Sequence, residues 1–368
     1  YTMHDISYWG MVPALGSDAG ARDQFTSRAT LFAGVGGTLA SILIPMLTTG
    51  ESAIGGNAST AYSVIALVVC VLAPLFLCFT LFGVREHRAD GPKKPFSLGL
   101  GKVVKTIMGN DQLMWISLIF LIQQIGNGLV VGGIGSTYIY FTYGYEGGLY
   151  SVFTTIGMAA TAFLMIFYPA ISRKIHRKQL MSIMMAVSTV GYVLMLVSGL
   201  AFSGSDLGFW VLVVGYMLSN FGQYGFYLVM MISIINTVEY NEYKHGAREE
   251  AIIASIRPFF TKMGSALVVV ITSASYMIFG VTGYTNQISD LESAAASGSL
   301  SEADKLAGIA NVIRGVQGGQ STGLLLCMVI VPFVLMFLSY ILYKKHYILD
   351  EEEYDRICRE IAARKKTA

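Results

Sequence analysis

Apolar residues fill the chain in long runs separated by short polar stretches. A helix crosses the hydrocarbon of a bilayer with about 20 consecutive apolar residues. Nine stretches fit that pattern: roughly 1–15, 28–49, 60–84, 112–143, 147–171, 179–202, 207–236, 251–281 and 320–343. The first reads as the tail of a span already under way at Tyr1, so the chain is expected to lack its natural start. The 112–143 and 207–236 runs exceed a minimal span and are expected to tilt or to extend past the membrane.

The polar stretches divide by charge. Loop 85–110 carries Arg85, Arg88, Lys93, Lys94, Lys102 and Lys105, loop 172–178 carries Arg173, Lys174, Arg177 and Lys178, and the tail opens with Lys344 and Lys345. Counting spans puts these on one side with 16–27 and 239–250, and the excess of Lys and Arg makes that side cytoplasmic. The opposite loops, 50–59, 144–147, 203–206 and 282–319, are poor in both. Loop 85–110, with Gly91, Pro92 and Pro95, separates three spans from six. The expected organisation is therefore a remainder of an amino-terminal helix bundle at 1–84, a cytoplasmic middle loop at 85–110, a six-helix bundle at 111–343 that includes the outer loop 282–319, and a cytoplasmic tail at 344–368. Two six-helix halves joined by a basic loop describe an all-α membrane protein of the major facilitator fold. Nine helices, the fourth to the twelfth of twelve, would then be present.

Smaller patterns refine this. Gly-Ala-Arg-Asp at 20–23 is echoed by Gly-Ala-Arg-Glu at 246–249, each after an acid-containing helix end and before a span that starts near Arg28 or Arg257. The outer loop alternates charges with Ala and Leu, and Ser301 with Asp304 resembles a capping pair, so one or two short amphipathic helices are expected there. The tail from Asp350 to Ala368 starts acidic and ends basic, as a solvated helix favours.

Composition agrees with the pattern. Of 368 residues 54% are hydrophobic and 13% charged, against about 25% charged in a soluble domain. The chain is read as an integral membrane protein whose surroundings are the lipid bilayer of the cell inner (plasma) membrane. Its net charge of +2 and the lack of basic clusters interleaved with aromatics give no sign of a nucleic-acid partner. Cys70, Cys78 and Cys327 lie in apolar runs and Cys358 in the charged tail, which suggests free thiols. No histidine pair has metal-ligand spacing. There is no nucleophile–base pair and no phosphate loop, and the Gly132, Gly133, Gly135 cluster lies inside a span rather than after a strand. Neither an enzyme nor an organic cofactor is expected.

Ionisable and polar side chains inside spans are costly, and usually paired or functional. Tyr1, Asp5 and Trp9 recur every four residues and share one helix face. An aromatic, a carboxylate and an indole in a row form a platform for a ligand with polar groups and an apolar face, such as a sugar. Asp5 would accept from hydroxyls and Trp9 would stack; alternatively Asp5 is the structural partner of Arg28 or Lys262. Thr2 adds a hydroxyl beside this face. Arg28 is either a snorkelling residue at the interface or a donor into the cavity. Lys262, in FFTKMGSA, either occupies the electrostatic niche of a cation or locks two helices by an ion pair. Arg257-Pro258 interrupts the helical hydrogen-bond ladder, giving a gating bend or simply an arginine at a helix start. Asn220, Gln223 and Tyr227 are spaced to share a face. Gln123, Gln124 and Asn127 form a second polar patch before VVGGIG, and they either line a cavity or bind neighbouring helices.

With these residues laid out, the chain resembles the glycoside–pentoside–hexuronide:cation symporters. The match is carried by YTMHDISYWGMVPAL with Arg28 downstream, GNDQLMW at 109–115, TVEYNEYK at 237–244 and FFTKMGSA at 259–266, and it covers essentially the whole chain. The resemblance implies cation-coupled sugar symport by alternating access. It also implies that Tyr1, Asp5, Trp9 and Arg28 are sugar-site positions, that Thr2 and Asp5 serve the coupling cation, sodium or proton, and that Lys262 links charge to sugar. Tyr227 falls where the family's best-known member has a tryptophan, which weakens the case for a galactoside. Arg257 stands where a neutral polar side chain is expected, which admits an anionic substrate such as a uronide. The family's acidic cation ligands lie on its second helix, upstream of Tyr1. A small sugar is the expected partner and a monomer the expected form. The competing readings are an amphiphile or lysolipid carrier on the same scaffold, and a membrane sugar sensor or truncated remnant that does not transport.

Overall fold

The computed structural model describes residues 19–49, 53–83, 100–172, 175–246 and 249–367, with side chains for all of these except 19–31, 100, 162–172, 250, 251 and 365–367. Among the described residues the chain is helical, without strands. The first half contributes α1 (Ala19–Thr48), a 3-10 turn (Ile54–Gly56) and α2 (Ala58–Gly83). A short helix, α3 (Leu100–Gly109), leads into α4 (Asp111–Val131), α5 (Gly133–Tyr143), α6 (Gly147–Ser172), α7 (Arg177–Ala201) and α8 (Asp206–His245). Then follow α9 (Glu250–Ile278), α10 (Thr282–Ala296), α11 (Glu302–Arg314), α12 (Gly318–His346) and α13 (Glu351–Thr367).

Six of these segments are long and apolar enough to cross a membrane: Ala58–Gly83, Asp111–Tyr143, Arg177–Ala201, Asp206–His245, Ile252–Ile278 and Gly318–His346. The expected spans at 28–49 and 147–171 are also helices, α1 and α6. The expected span at 1–15 lies outside the described residues.

Several boundaries differ from the sequence reading. The polar stretch 16–27 was expected to be a loop, but α1 begins at Ala19. Residues 239–245, also expected to be loop, continue α8, which runs for 40 residues, about 60 Å at the helical rise. It ends only where Gly246 takes φ 68°, a left-handed cap that glycine adopts without a Cβ clash. The Gly-Ala-Arg echo therefore sits in two different local structures, since Gly20 is inside a helix and Gly246 ends one. The span 112–143 is not one helix. It breaks at Gly132, whose φ and ψ are −79° and −159°. Conversely α9 runs on through Pro258 as a single helix.

The outer loop forms two helices, α10 and α11, and the Ser301 hydroxyl caps α11 by accepting from Asp304 N at 3.2 Å. The tail is helix α13, with Glu351, Glu352 and Glu353 in its first turn.

Helix α8 lies in the middle, in contact with α4, α6, α7, α9 and α13, while α12 packs on α4, α5 and α7. Phe120, Leu129, Phe153, Phe226 and Leu325 fill the space between them. Lipid tails are as apolar as these side chains, so helix association in a membrane relies on close packing and interhelical hydrogen bonds. Such bonds recur: Ser188 Oγ donates to Ser219 O at 2.8 Å, Ser198 Oγ to Gly208 O at 2.5 Å and Asn220 Nδ2 to Gly157 O at 3.1 Å. Helix α1 packs on α6, and α2 meets α10.

Candidate functional site

Tyr1, Thr2, Asp5 and Trp9 lie outside the described residues. Arg28 sits on α1, one of the helices that meets the six-helix bundle, and its side chain also lies outside the description. The remaining candidates are on α4, α8 and α9.

On α9, Ile253, Ile256 and Gly264 are buried against the bundle. Arg257 and Lys262 are exposed, so they face away from that packing stripe. They are five residues apart, about 140° around the helix, and point in different directions. The same helix rests on α4 at Gly264, where an added Cβ would come within 3.2 Å of Gln124 Cβ. Tyr227 on α8 is half-buried, its ring 6.0 Å from Phe120 and 5.7 Å from Tyr224.

The two polar patches meet. Gln123 Nε2 donates to Gln223 Oε1 at 3.0 Å and to Gln223 O at 3.2 Å, and Gln223 Nε2 donates to the Tyr192 hydroxyl at 2.9 Å. Gln123 and Gln223 are both buried. In this conformation they join α4, α8 and α7, and Asn220 joins α8 to α6. Gln124 and Asn127 remain half-buried on the flank of α4.

Three features were not foreseen. The break at Gly132 is held in place by sterics, because a Cβ on Gly135 would fall 1.9 Å from Val130 O. Backbone freed inside a span must be satisfied by protein. Here the Tyr150 hydroxyl of α6 donates to Val131 O at 2.5 Å, the Tyr276 hydroxyl of α9 donates to Gly133 O at 2.7 Å, and Thr137 lies 2.5 Å from Tyr276. Polar ligands in transporters bind near such interrupted helices. The glycine run VVGGIG was the signal, but it reads equally as close packing.

The second feature is where α1 meets α6. Ser151 Oγ donates to Ile42 O at 2.9 Å, and a Cβ on Gly147 would lie 1.9 Å from Pro45 O. Beside this join, the Tyr145 hydroxyl donates to Glu292 at 3.1 Å, and the buried Lys305 ammonium pairs with Glu292 at 3.3 Å and Glu302 at 2.5 Å. Burial and the neighbouring Glu292 carboxylate push the Tyr145 phenol far above its ordinary range, so it stays a donor. These residues all lie at the end of the bundle remote from α13.

The third is at the other end. Asn110 caps α4 by accepting from Leu113 N at 2.9 Å and donates to Thr237 O at 3.0 Å. Asp111 receives Lys244 at 2.5 Å and Tyr240 at 3.0 Å, and Trp115 stacks on His346 at 3.8 Å. The blocks GNDQLMW and TVEYNEYK thus fasten the start of α4 to the end of α8.

Against known proteins, the family described as MFS/sugar transport protein matches residues 1–344. The raffinose carrier protein of Pediococcus pentosaceus is 25% identical over 98% of this chain and 51% of its own length. A lactose permease of Leuconostoc lactis is 29% identical over 77% of this chain and 43% of its own. An isoprimeverose transporter of Lactiplantibacillus pentosus is 23% identical over 77% of this chain and 57% of its own. The chain spans about half the length of these curated relatives.

Proposed function

The chain belongs to the MFS/sugar transport protein family, a multi-pass, all-α membrane fold, and from that premise we propose that it moves a sugar across the membrane by cation-coupled symport. The relatives are carriers and permeases, named for raffinose, lactose and isoprimeverose, and this supports a sugar or glycoside as substrate. We take Tyr1, Asp5, Trp9 and Arg28 as the sugar-binding face of the first half, with Tyr227, Arg257 and Lys262 facing it from the second. Thr2 and Asp5 would attend the coupling cation, sodium or proton, and Lys262 would report the charge state of the cavity.

What carries the transport reading is the meeting of α1 and α6 at Ile42, Pro45, Gly147 and Ser151. It is a close contact between the halves at the end away from α13. With the Lys- and Arg-rich loops cytoplasmic, that end faces outward, and the halves close there in this state. Cation and sugar each stabilise the closed cavity, and rocking of the halves then exposes it alternately. Lys262 and Arg257 lie on α9, which packs against α4.

Counterflow of labelled glycosides in vesicles holding the complete protein, with and without sodium, tests this. Sugar-dependent exchange that changes with sodium or pH is expected. Absence of exchange under every cation would reject the symport reading.

A further inference from the structure

At the end of the bundle remote from α13 lies a cavity of about 340 Å³, between α5, α7, the turn after α7 and the start of α12. Five hydroxyls line it, from Tyr138, Thr142, Ser203, Ser321 and Thr322. Two of these are stranded. Tyr138 is only 1% exposed, and neither its hydroxyl nor Thr142 Oγ1 makes a hydrogen bond, although both are buried. The Thr142, Ser203 and Tyr143 hydroxyls surround the Tyr138 hydroxyl and interact with it weakly, outside good hydrogen-bond geometry. A buried hydroxyl without a good partner is destabilising, and polar groups facing each other across such a gap are commonly bridged by a third molecule. The space is kept open at Gly199, where a Cβ would come within 2.7 Å of the Tyr138 hydroxyl.

The chemistry of the wall selects the ligand. No Lys, Arg, His, Asp or Glu lines the cavity, so neither an anion nor a cation would find a counter-charge. Hydroxyls both donate and accept, and Phe141 and Leu200 offer apolar surface beside them. The volume lies at the lower end of ordinary small-molecule sites. Leu200, Ser203 and Gly318 are exposed, which leaves the cavity accessible from the bundle end. We propose that this is a peripheral site for a neutral polyhydroxylated ligand, a single sugar ring, held within the second half and separate from the transport cavity. It would take up sugar at the membrane face without rocking of the halves.

The test is thiol protection at the rim. Ser203→Cys is made in the complete protein after replacement of the native cysteines, and its maleimide labelling rate is measured in vesicles with methyl glucoside, gluconate or no addition. Methyl glucoside at ten times its dissociation constant is expected to slow labelling about tenfold. Gluconate should leave the rate unchanged. Adding Tyr138→Phe and Thr142→Val should remove the protection while sugar exchange in the same vesicles persists. Unslowed labelling with methyl glucoside would mean the cavity holds water only and would overturn the proposal, as would protection that survives both substitutions or protection by gluconate as strong as by methyl glucoside. Exchange is read separately, so an unprotected Ser203→Cys thiol in the protein that keeps Tyr138 and Thr142, with exchange intact, rejects the peripheral site alone. Protection without exchange rejects the transport reading alone.

Discussion

Gly147 lies against Pro45 so closely that a single added carbon would sit 1.9 Å from the Pro45 carbonyl oxygen. The contact joins α1 to α6, which the proposed mechanism places in opposite halves, and it leaves no room for any other side chain at that position. Gly147→Ala is predicted to hold the halves apart at this end. Overpacking of this kind costs about 1–3 kcal/mol, enough to shift a two-state balance by roughly fivefold to a hundredfold. Sugar exchange should fall by a similar factor, and a thiol placed by Ser151→Cys should label faster. Unchanged labelling and exchange would show that the contact bears no load in the cycle.

The glutamine pair makes a different prediction. Gln223→Leu removes both the acceptor for Gln123 and the donor to Tyr192. The Tyr192 hydroxyl loses its partner and Gln123 keeps only the Gln223 backbone carbonyl, and the loss should be about 1–2 kcal/mol, visible as a lower Tm in detergent. Replacing Gln123 by Leu as well should cost less than the sum of the two single changes, because no orphaned amide remains at that position. Strict additivity would contradict the coupling.

The tail should respond to acid. Asp350 pairs with Lys178 at 3.0 Å, and Glu351 pairs with Arg177 at 3.0 Å. Burial raises the Asp350 carboxyl, but the hydrogen bond from Lys178, the Glu353 amide and the nearby cations outweigh it and hold the group below its usual range. Burial likewise raises Glu351, and the Arg177 amide, its own amide and the Arg177 guanidinium bring it below normal. Carboxyls lowered in the folded state contribute stability that is full above their unfolded pKa values, 3.8 and 4.5 in the ordinary case, and is lost as pH falls through the lower folded values. Protease protection of α13 should therefore hold at neutral pH and fail below about pH 4. Glu351→Gln should weaken it at neutral pH. Protection that persists unchanged into strong acid would contradict this.

The helical hairpin of α10 and α11 depends on Lys305. Removing one partner of a buried pair strands the other charge, at a cost of up to about 3–5 kcal/mol. Lys305→Met should raise hydrogen exchange across 282–314 more than Glu292→Gln does, since methionine leaves the Glu292 and Glu302 carboxylates without their cation, whereas Glu292→Gln leaves Lys305 paired with Glu302. The reverse order would mean that Lys305 is not the main support.

Much of this architecture was legible in the hydrophobic pattern, because a bilayer imposes a minimum span length that sequence must obey. The hairpin helices and the Ser301 cap were also readable, since both are local. The break at Gly132 was not: the glycine run there fits packing as well as interruption, and the tyrosines that stabilise it come from α6 and α9. The pairing of Gln123 with Gln223 spans 100 residues of sequence, and neither periodicity nor propensity reports such distances. The end of α8 was misjudged because its last turns are polar. Their helix is held by Asn110, Asp111 and the tail rather than by an apolar face. Of the candidate site, the half on α8 and α9 could be placed, and Tyr1, Thr2, Asp5 and Trp9 lie outside the described residues.

The most direct measurement fixes the join between the halves. Ile42→Cys and Ser151→Cys are combined in the complete protein without its native cysteines, cross-linked in vesicles, and assayed for counterflow of a labelled glycoside before and after reduction. Transport by alternating access predicts that exchange stops when the pair is linked and returns on reduction. Exchange at the full rate with the pair completely linked would contradict the account.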